Sequence, residues 1–475
     1  MENLSEVSYK HLSVRPFNLF SLQRLEITKE INEHGKLLFT AVLPEEVSDS
    51  YISEASFGKA IEIVQNKDVE KILFAGIITD AKVHMEGNLY YMTIEGITNT
   101  YLMDVKIKSR SFQDNNMMYY ELVDEITGEY GGSAIFKVED EPLDEFVVQY
   151  RETDWSFIKR MASRFDAGLF PNFQSSIPQY YFGFPNLDNG ARVEELRFEG
   201  INKVADYEFI SSNFIEDAFS LDFVTYIVET NLQCELGEKV RYRDFSLHVQ
   251  KAKIFIRNGI LINRYVLSSA EGLRQPRFAN ELLQGISIFG NIIDIKRDMV
   301  KIHIHEIDKS QDVATAHWFQ YSTMYASVDG SGWYTMPELG DHVRIAFATV
   351  EDNSSFVVSS VSNYKPPVSG PDRMGDFENR WFRNPQGMEV ILTPGEIILS
   401  SNRKVMLVMK DDGTISIHAD NKITLKGEEE IILTSDDTVN IRSDKNIKIQ
   451  CAEVAEINMN EEGVTQILAN EIFQN

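Results

Sequence analysis

The stretch from Ile415 to Ile449 reads ISIHADNKITLKGEEEIILTSDDTVNIRSDKNIKI, and its spacing decides the C-terminal fold. Apolar pairs two residues apart recur at Ile415/Ile417, Ile423/Leu425, Ile431/Leu433, Val439/Ile441 and Ile447/Ile449. The pattern extends back to Ile397/Leu399 and Val405/Leu407, and forward to Ala455/Ile457. The step is eight residues, except for ten where Asp411-Asp412-Gly413 intervenes. Polar turns such as Ala419-Asp420-Asn421 and Ser435-Asp436-Asp437 separate the pairs. Two apolar residues two apart share one face of a strand. Repeated with turns between, they predict a prism that is apolar inside and charged outside. A strand this short encloses no core alone, whereas three chains wound together close a triangular section. Eight strands at the inter-strand spacing give a rod roughly 40 Å long. The alternatives are a single-chain β-solenoid, whose coils usually need about 20 or more residues per turn, and the stem of a receptor-binding fibre.

Working outward, 475 residues exceed one ordinary core and predict several domains. Residues 1–105 read as a β-barrel, with strands at Leu25–Thr28, Leu37–Leu43, Lys71–Ile78 and Leu89–Ile94. Turns are expected at Asn32-Glu33-His34-Gly35 and Glu86-Gly87-Asn88. Residues 106–204 form an α/β insert with a helix over Asn116–Thr127, followed by Gly128 as a C-cap. A second helix starts at Thr153 or Asp154, and its stripe Trp155, Ile158, Met161, Ala162 and Phe165 reads as core. Residues 205–267 read as a second barrel and 268–282 as a polar linker broken by Gly272 and Pro276.

Residues 283–363 fit a five-stranded OB-type barrel. There Val300, Ile302 and Ile304 face inward, with Lys301, His303 and His305 on the solvent face. Residues 364–387 are a second linker, and 388–475 carry the repeat. The fold class is thus mainly β: barrel domains with a few helices, an OB fold, then a triple-stranded β-helix in a homotrimer.

Composition narrows the function classes. The formal net charge of −27 disfavours nucleic acid and anionic membranes as partners. Met1 to Pro16 has no secretory-signal pattern, so synthesis in the cytoplasm is expected, with export by other means. Cys234 and Cys451 make no disulfide framework or zinc site. P-loop, Gly-x-Ser-x-Gly and His-Glu-x-x-His patterns are absent, so no catalytic residue, cofactor or metal is nominated. His303-x-His305 reads as barrel surface rather than as a ligand pair. A cell-wall hydrolase remains the enzymatic alternative, testable by a muralytic assay.

Three segments then carry a family resemblance. Gln149-Tyr150-Arg151-Glu152-Thr153-Asp154-Trp155-Ser156-Phe157-Ile158-Lys159-Arg160 resembles a signature of VgrG-type spike proteins. Its most specific part is Tyr150, Arg151, Glu152, Thr153 and Asp154. Pro337-Glu338-Leu339-Gly340-Asp341-His342-Val343 is similar to the family's OB turn and strand, and Leu273-Arg274-Gln275-Pro276 to its hub-to-OB connection. The resemblance implies a trimeric ring beneath a secretion or tail tube, an OB collar and a piercing needle. It also implies an inner tube protein, baseplate proteins, a PAAR-type tip and effector cargo as partners. Delivery on firing of the particle, to the extracellular space or a target cell, follows from the same resemblance. The chain departs from the pattern in two places. It stops at Asn475, so no effector domain is expected, and the linker 364–386 is too short for a lysozyme insert. The His-x-His iron site of some phage tips has no counterpart, because His418 is the needle's lone histidine.

Overall fold

The computed structural model describes residues 7–44, 56–67, 69–215, 217, 219–369, 372–452 and 454–472. The chain divides into two compact units, residues 1–363 and 364–475.

The first unit begins with β1 (Leu12–Arg15), β2 (Ser21–Glu30), β3 (Glu33–Leu43), β4 (Ala60–Gln65), β5 (Lys71–Glu86) and β6 (Leu89–Thr98). β5 and β6 join through Gly87 and Asn88, at φ of 56° and 62°. Two successive positive φ angles are what a tight hairpin turn requires, and Gly and Asn tolerate them. The β2–β3 turn is tighter than the sequence predicts. It closes at Ile31-Asn32, and His34 and Gly35 already lie in β3. Gly35 is required by packing: a Cβ there would lie 2.4 Å from the Phe173 ring. Alternate residues Leu37, Phe39 and Ala41 face a core shared with Leu25, Ile27, Ile63 and Ile94.

The insert holds β7 (Ile107–Phe112), α1 (Tyr119–Gly128), β8 (Ser133–Phe136), β9 (Val147–Thr153), α2 (Asp154–Ser163), β10 (Leu169–Pro171) and β11 (Gln179–Phe182). Gly128 is the last helical residue of α1 rather than its cap, and Glu129 follows. α1 starts at Tyr119, three residues after the expected Asn116. There Glu121 accepts the Met118 backbone N–H at 3.1 Å. The α2 stripe is core as expected, and the Trp155 indole donates to the Asn32 carbonyl at 3.0 Å.

Next come β12 (Asp188–Arg192), β13 (Arg197–Asn202), α3 (Val204–Asn213), β14 (Val224–Thr230), β15 (Lys239–Tyr242), β16 (Phe245–Arg257) and β17 (Ile260–Ser268). β16 pairs with β2 from Lys251↔Glu30 to Phe255↔Glu26. The two expected barrels therefore share one twelve-stranded sheet, ordered β1-β4-β5-β6-β3-β2-β16-β17-β14-β13 along its main path. β12 and β13, expected within the insert, belong to this sheet. Their sequences lack an apolar alternation that would have marked them.

The segment 268–280 is not a free linker. Leu273 is buried, Arg274 binds Asp166 at 2.5 Å, and Asn32 donates to the Gln275 side-chain oxygen at 2.9 Å. Its partners lie more than a hundred residues away, so its polar composition hides its role as a strap.

β18 (Ser287–Lys296), β19 (Met299–His303), β20 (Trp318–Gln320), β21 (His342–Phe347) and β22 (Ser355–Val358) form a sheet ordered β20-β19-β18-β21-β22. A bridge between Tyr321 and Val357 links its two ends, as in a closing barrel. Val300, Ile302, Ile304, Val343, Ile345 and Phe347 line its core. Lys301 departs from its expected solvent placement. It is buried, donates to the Val313 carbonyl at 2.6 Å and lies 4.9 Å from the Trp318 ring centroid. Val313 and Ala314 of the preceding loop and Trp318 at the start of β20 cover that face, and strand alternation cannot foresee such a cover.

The second unit contains β23 (Arg380–Arg383), β24 (Met388–Leu392), β25 (Glu396–Ser401), β26 (Val405–Lys410) and β27 (Ile415–Ala419) in an antiparallel meander. β28 (Asn446–Cys451), β29 (Ala455–Asn460) and β30 (Thr465–Leu468) form a second one. These strands pair within the chain, with Leu407 opposite Ile417 and Ile449 opposite Ile457. Residues 421–445 form no strand, although the repeat places strands at Ile423/Leu425, Ile431/Leu433 and Val439/Ile441. A strand exists only against a partner, and one chain supplies none there. A single-chain solenoid would bury those side chains, but all six are more than half exposed.

A buried ionic clamp as the candidate functional site

The Tyr150–Asp154 motif spans the junction of β9 and α2. Thr153 is the helix N-cap and accepts the Ser156 N–H at 3.2 Å, while its hydroxyl donates to Asp104. Asp154 follows in the first helical turn, where a negative charge complements the helix dipole. Its carboxylate is fully buried. It accepts hydrogen bonds from Lys108 at 2.6 Å, Arg110 at 2.5 Å, Tyr130 at 2.7 Å and Gln149 at 2.9 Å. A buried carboxylate without such partners costs several kcal/mol. Burial pushes the Asp154 acid upward, but the bonds from Lys108, Tyr130 and Gln149 and the Arg110 charge outweigh it. The group is held below the usual aspartate range. Glu129 accepts from the same Lys108 and Arg110, closing a four-membered network.

The other motif acid faces the barrel. Glu152 accepts from Arg160 Nη2 at 2.7 Å, and Arg160 Nη1 donates to Asp352 at 2.8 Å. Arg164, one helical turn on, donates to the same Asp352 oxygen at 2.6 Å. The second Asp352 oxygen accepts the Val148 backbone N–H at 3.1 Å. Asp352 lies between β21 and β22, so α2 of the insert and the barrel are locked through one carboxylate. Burial drives Glu152 above the ordinary glutamate range, with Arg160 opposing and Asp352 adding to the rise.

Tyr150 packs on the barrel core, and its carbonyl accepts from Asn280 of the strap at 2.7 Å. Arg151 is exposed, at a left-handed φ of 49°, where β9 slips register against β7. Its guanidinium sits 5.5 Å from the Tyr150 ring centroid. β7 grips the barrel a second time, as the Ser111 hydroxyl donates to Asp308 at 2.5 Å. Phe146 and Val148 complete the joint by entering the barrel core.

This arrangement is a joint between the insert and the barrel. Asp154, Glu152 and Asp352 are each matched to cations from the chain itself. Among the described residues, no group of three or more His, Cys, Asp or Glu is placed to hold a metal. His303 hydrogen-bonds the Asp308 carbonyl at 3.0 Å.

The motif residues thus come together at one site. The needle residues Ile415, Ile417, Ile423, Leu425, Ile431, Leu433, Val439, Ile441, Ile447 and Ile449 belong to the second unit. Sequence reading missed Lys108, Arg110, Arg164, Asp308 and Asp352. The four-residue spacing of Arg160 on α2 and Arg164 at its C-cap was a usable signal; Asp352 in an acidic loop was not.

Residues 54–176 match the phage tail baseplate hub (GPD) family, and Lys108, Arg110 and the whole Tyr150–Arg164 segment fall inside that match. No curated protein matches the chain. Among solved structures, the chain is similar to Escherichia coli c3393, described as a type VI secretion component resembling T4 bacteriophage tail proteins gp27 and gp5. The identity is 11% and the TM-score 0.53, over 74% of this chain and 99% of that one. It is also similar to a chain of the Francisella PdpA–VgrG complex in its half-lidded form, at 10% identity and a TM-score of 0.52. That match spans 87% of this chain and 88% of the other. The family match lies wholly within the first unit. The chain as a whole shares the mainly β fold of those two structures.

Proposed function

We propose that the chain is the trimeric hub and spike of a contractile injection apparatus. It would cap the inner tube and present a needle to the target envelope. The observation that carries this reading is the needle repeat itself. Ile423, Leu425, Ile431, Leu433, Val439 and Ile441 recur every eight residues and stay exposed in one chain. Burial of each is worth on the order of 1.5–3 kcal/mol, and other chains supply that burial.

The hub sheet supports the same assembly. β1 and β13 end its main path, each with a single strand partner among the described residues. Free strand edges invite pairing, and head-to-tail contacts that close a ring satisfy them.

The role is mechanical and breaks no bond. Inner tube and baseplate proteins dock on the hub, a PAAR-type tip caps the needle, and effector cargo travels with it. The protein is made in the cytoplasm and leaves it with the fired particle. Electron microscopy of the purified chain tests this: a three-fold ring bearing a rod is expected, and isolated single-chain particles would refute it.

A further inference from the structure

Between β20 and β21 the barrel carries a shaped hairpin that the hub and needle reading leaves without a role. Ala326 bridges Gly332, the Ser327 N–H donates to the Ser331 carbonyl at 2.9 Å, and the Trp333 N–H donates to the Tyr325 carbonyl at 2.8 Å. The Thr323 hydroxyl donates to the Trp333 carbonyl at 2.6 Å, and the Tyr334 hydroxyl to the Arg297 carbonyl at 2.9 Å. The loop is therefore held in one shape, which lowers the ordering cost of binding.

Its chemistry is unlike the rest of the chain. One quarter of all residues are charged, yet Tyr321 to Met336 contains a single charge, Asp329. That carboxylate is engaged by the Ser331 N–H at 3.0 Å and the Ser331 hydroxyl at 2.7 Å. Tyr325 and Trp333 are each 54% exposed and Tyr334 71%, with Met324 and Val328 more exposed still. Ser322, Thr323, Ser327, Ser331 and Thr335 supply hydroxyls among these rings.

We propose that this hairpin binds a neutral oligosaccharide. OB barrels take oligonucleotides and oligosaccharides on their faces and loops. A nucleic acid needs Lys or Arg for its phosphates, and the hairpin has neither, on a chain of net charge −27. A neutral pyranose presents a C–H face that lies on an aromatic ring and hydroxyls that pair with serine, threonine and tyrosine. The hairpin offers both without a charge to desolvate.

Isothermal titration of the full chain with chitohexaose, cellohexaose and maltohexaose tests the proposal. Saturable binding of at least one is expected. Trp333→Ala and Tyr334→Ala should each weaken it about tenfold or more, with unfolding midpoint and native mass unchanged. Tyr325→Ala is the substitute should either variant fail to fold, and Phe245→Ala, on an exposed ring elsewhere, should keep full affinity. The proposal is overturned if none of the three sugars binds at millimolar concentration, or if binding survives all the hairpin substitutions. It is equally overturned if those substitutions abolish only the capture of a protein from the injection particle.

Discussion

Arg160 of the insert donates to Asp352 of the barrel at 2.8 Å, with 5% and 2% of the two side chains exposed. Two arginines meet at that one carboxylate, since Arg164 reaches it at 2.6 Å, while Glu152 and Glu145 each hold one of them from the other side. Removing one partner of a buried pair leaves uncompensated charge, at about 3–5 kcal/mol. Asp352→Ala should therefore lower unfolding free energy by that order in urea titration. A loss below about 1 kcal/mol, the range of surface pairs, would show that the clamp does not hold barrel to hub.

The strap offers a second test. Leu273 is 3% exposed within the hub core. Leu273→Ala should cost about 2–5 kcal/mol, as for a buried leucine. A flexible linker would tolerate the change almost unaltered, so a near-neutral result in the same titration would restore the linker reading.

Acid should act through Glu229. Hydrogen bonds from Arg257, opposed by burial and reinforced by Arg264, hold its carboxyl at about 2 against an ordinary 4.5. A carboxyl lowered on folding stabilises the protein fully above its unfolded value. That contribution drains as pH falls from about 4.5 toward about 2. Glu229→Gln should thus flatten the acid limb of the stability–pH profile while lowering stability at neutral pH. An unchanged acid limb would contradict the pairing.

The needle makes a prediction independent of the hub. Ile431→Asp with Leu433→Asp places charges in the shared core of the proposed trimer, at heavy cost. Unheated detergent gels should show a resistant trimer for the parent chain and its loss in the variant. Equal resistance would count against inward placement of Ile431 and Leu433.

Much of this was legible in the sequence because it is local. Alternation gave the barrel positions Val300, Ile302 and Ile304, all buried. The Gly87-Asn88 turn and the Thr153 cap are likewise set by neighbours in the chain. What escaped depends on distant partners. The β2–β16 pairing that fuses two expected barrels joins residues more than two hundred positions apart. Lys301 is buried by a loop and Arg274 is pinned by Asp166, and neither fact leaves a periodic trace. The Tyr150–Asp154 motif was visible as a string. Its meaning, a clamp closed by Lys108, Arg110 and Asp352, appears only in three dimensions.

The central claim is that exposed apolar pairs of one chain become the core of three. Native mass spectrometry of the full chain tests it most directly. The account predicts a species at three times the 54.4 kDa chain mass that persists on dilution. A stable monomer, with Ile431 and Leu433 still open to solvent, would contradict it.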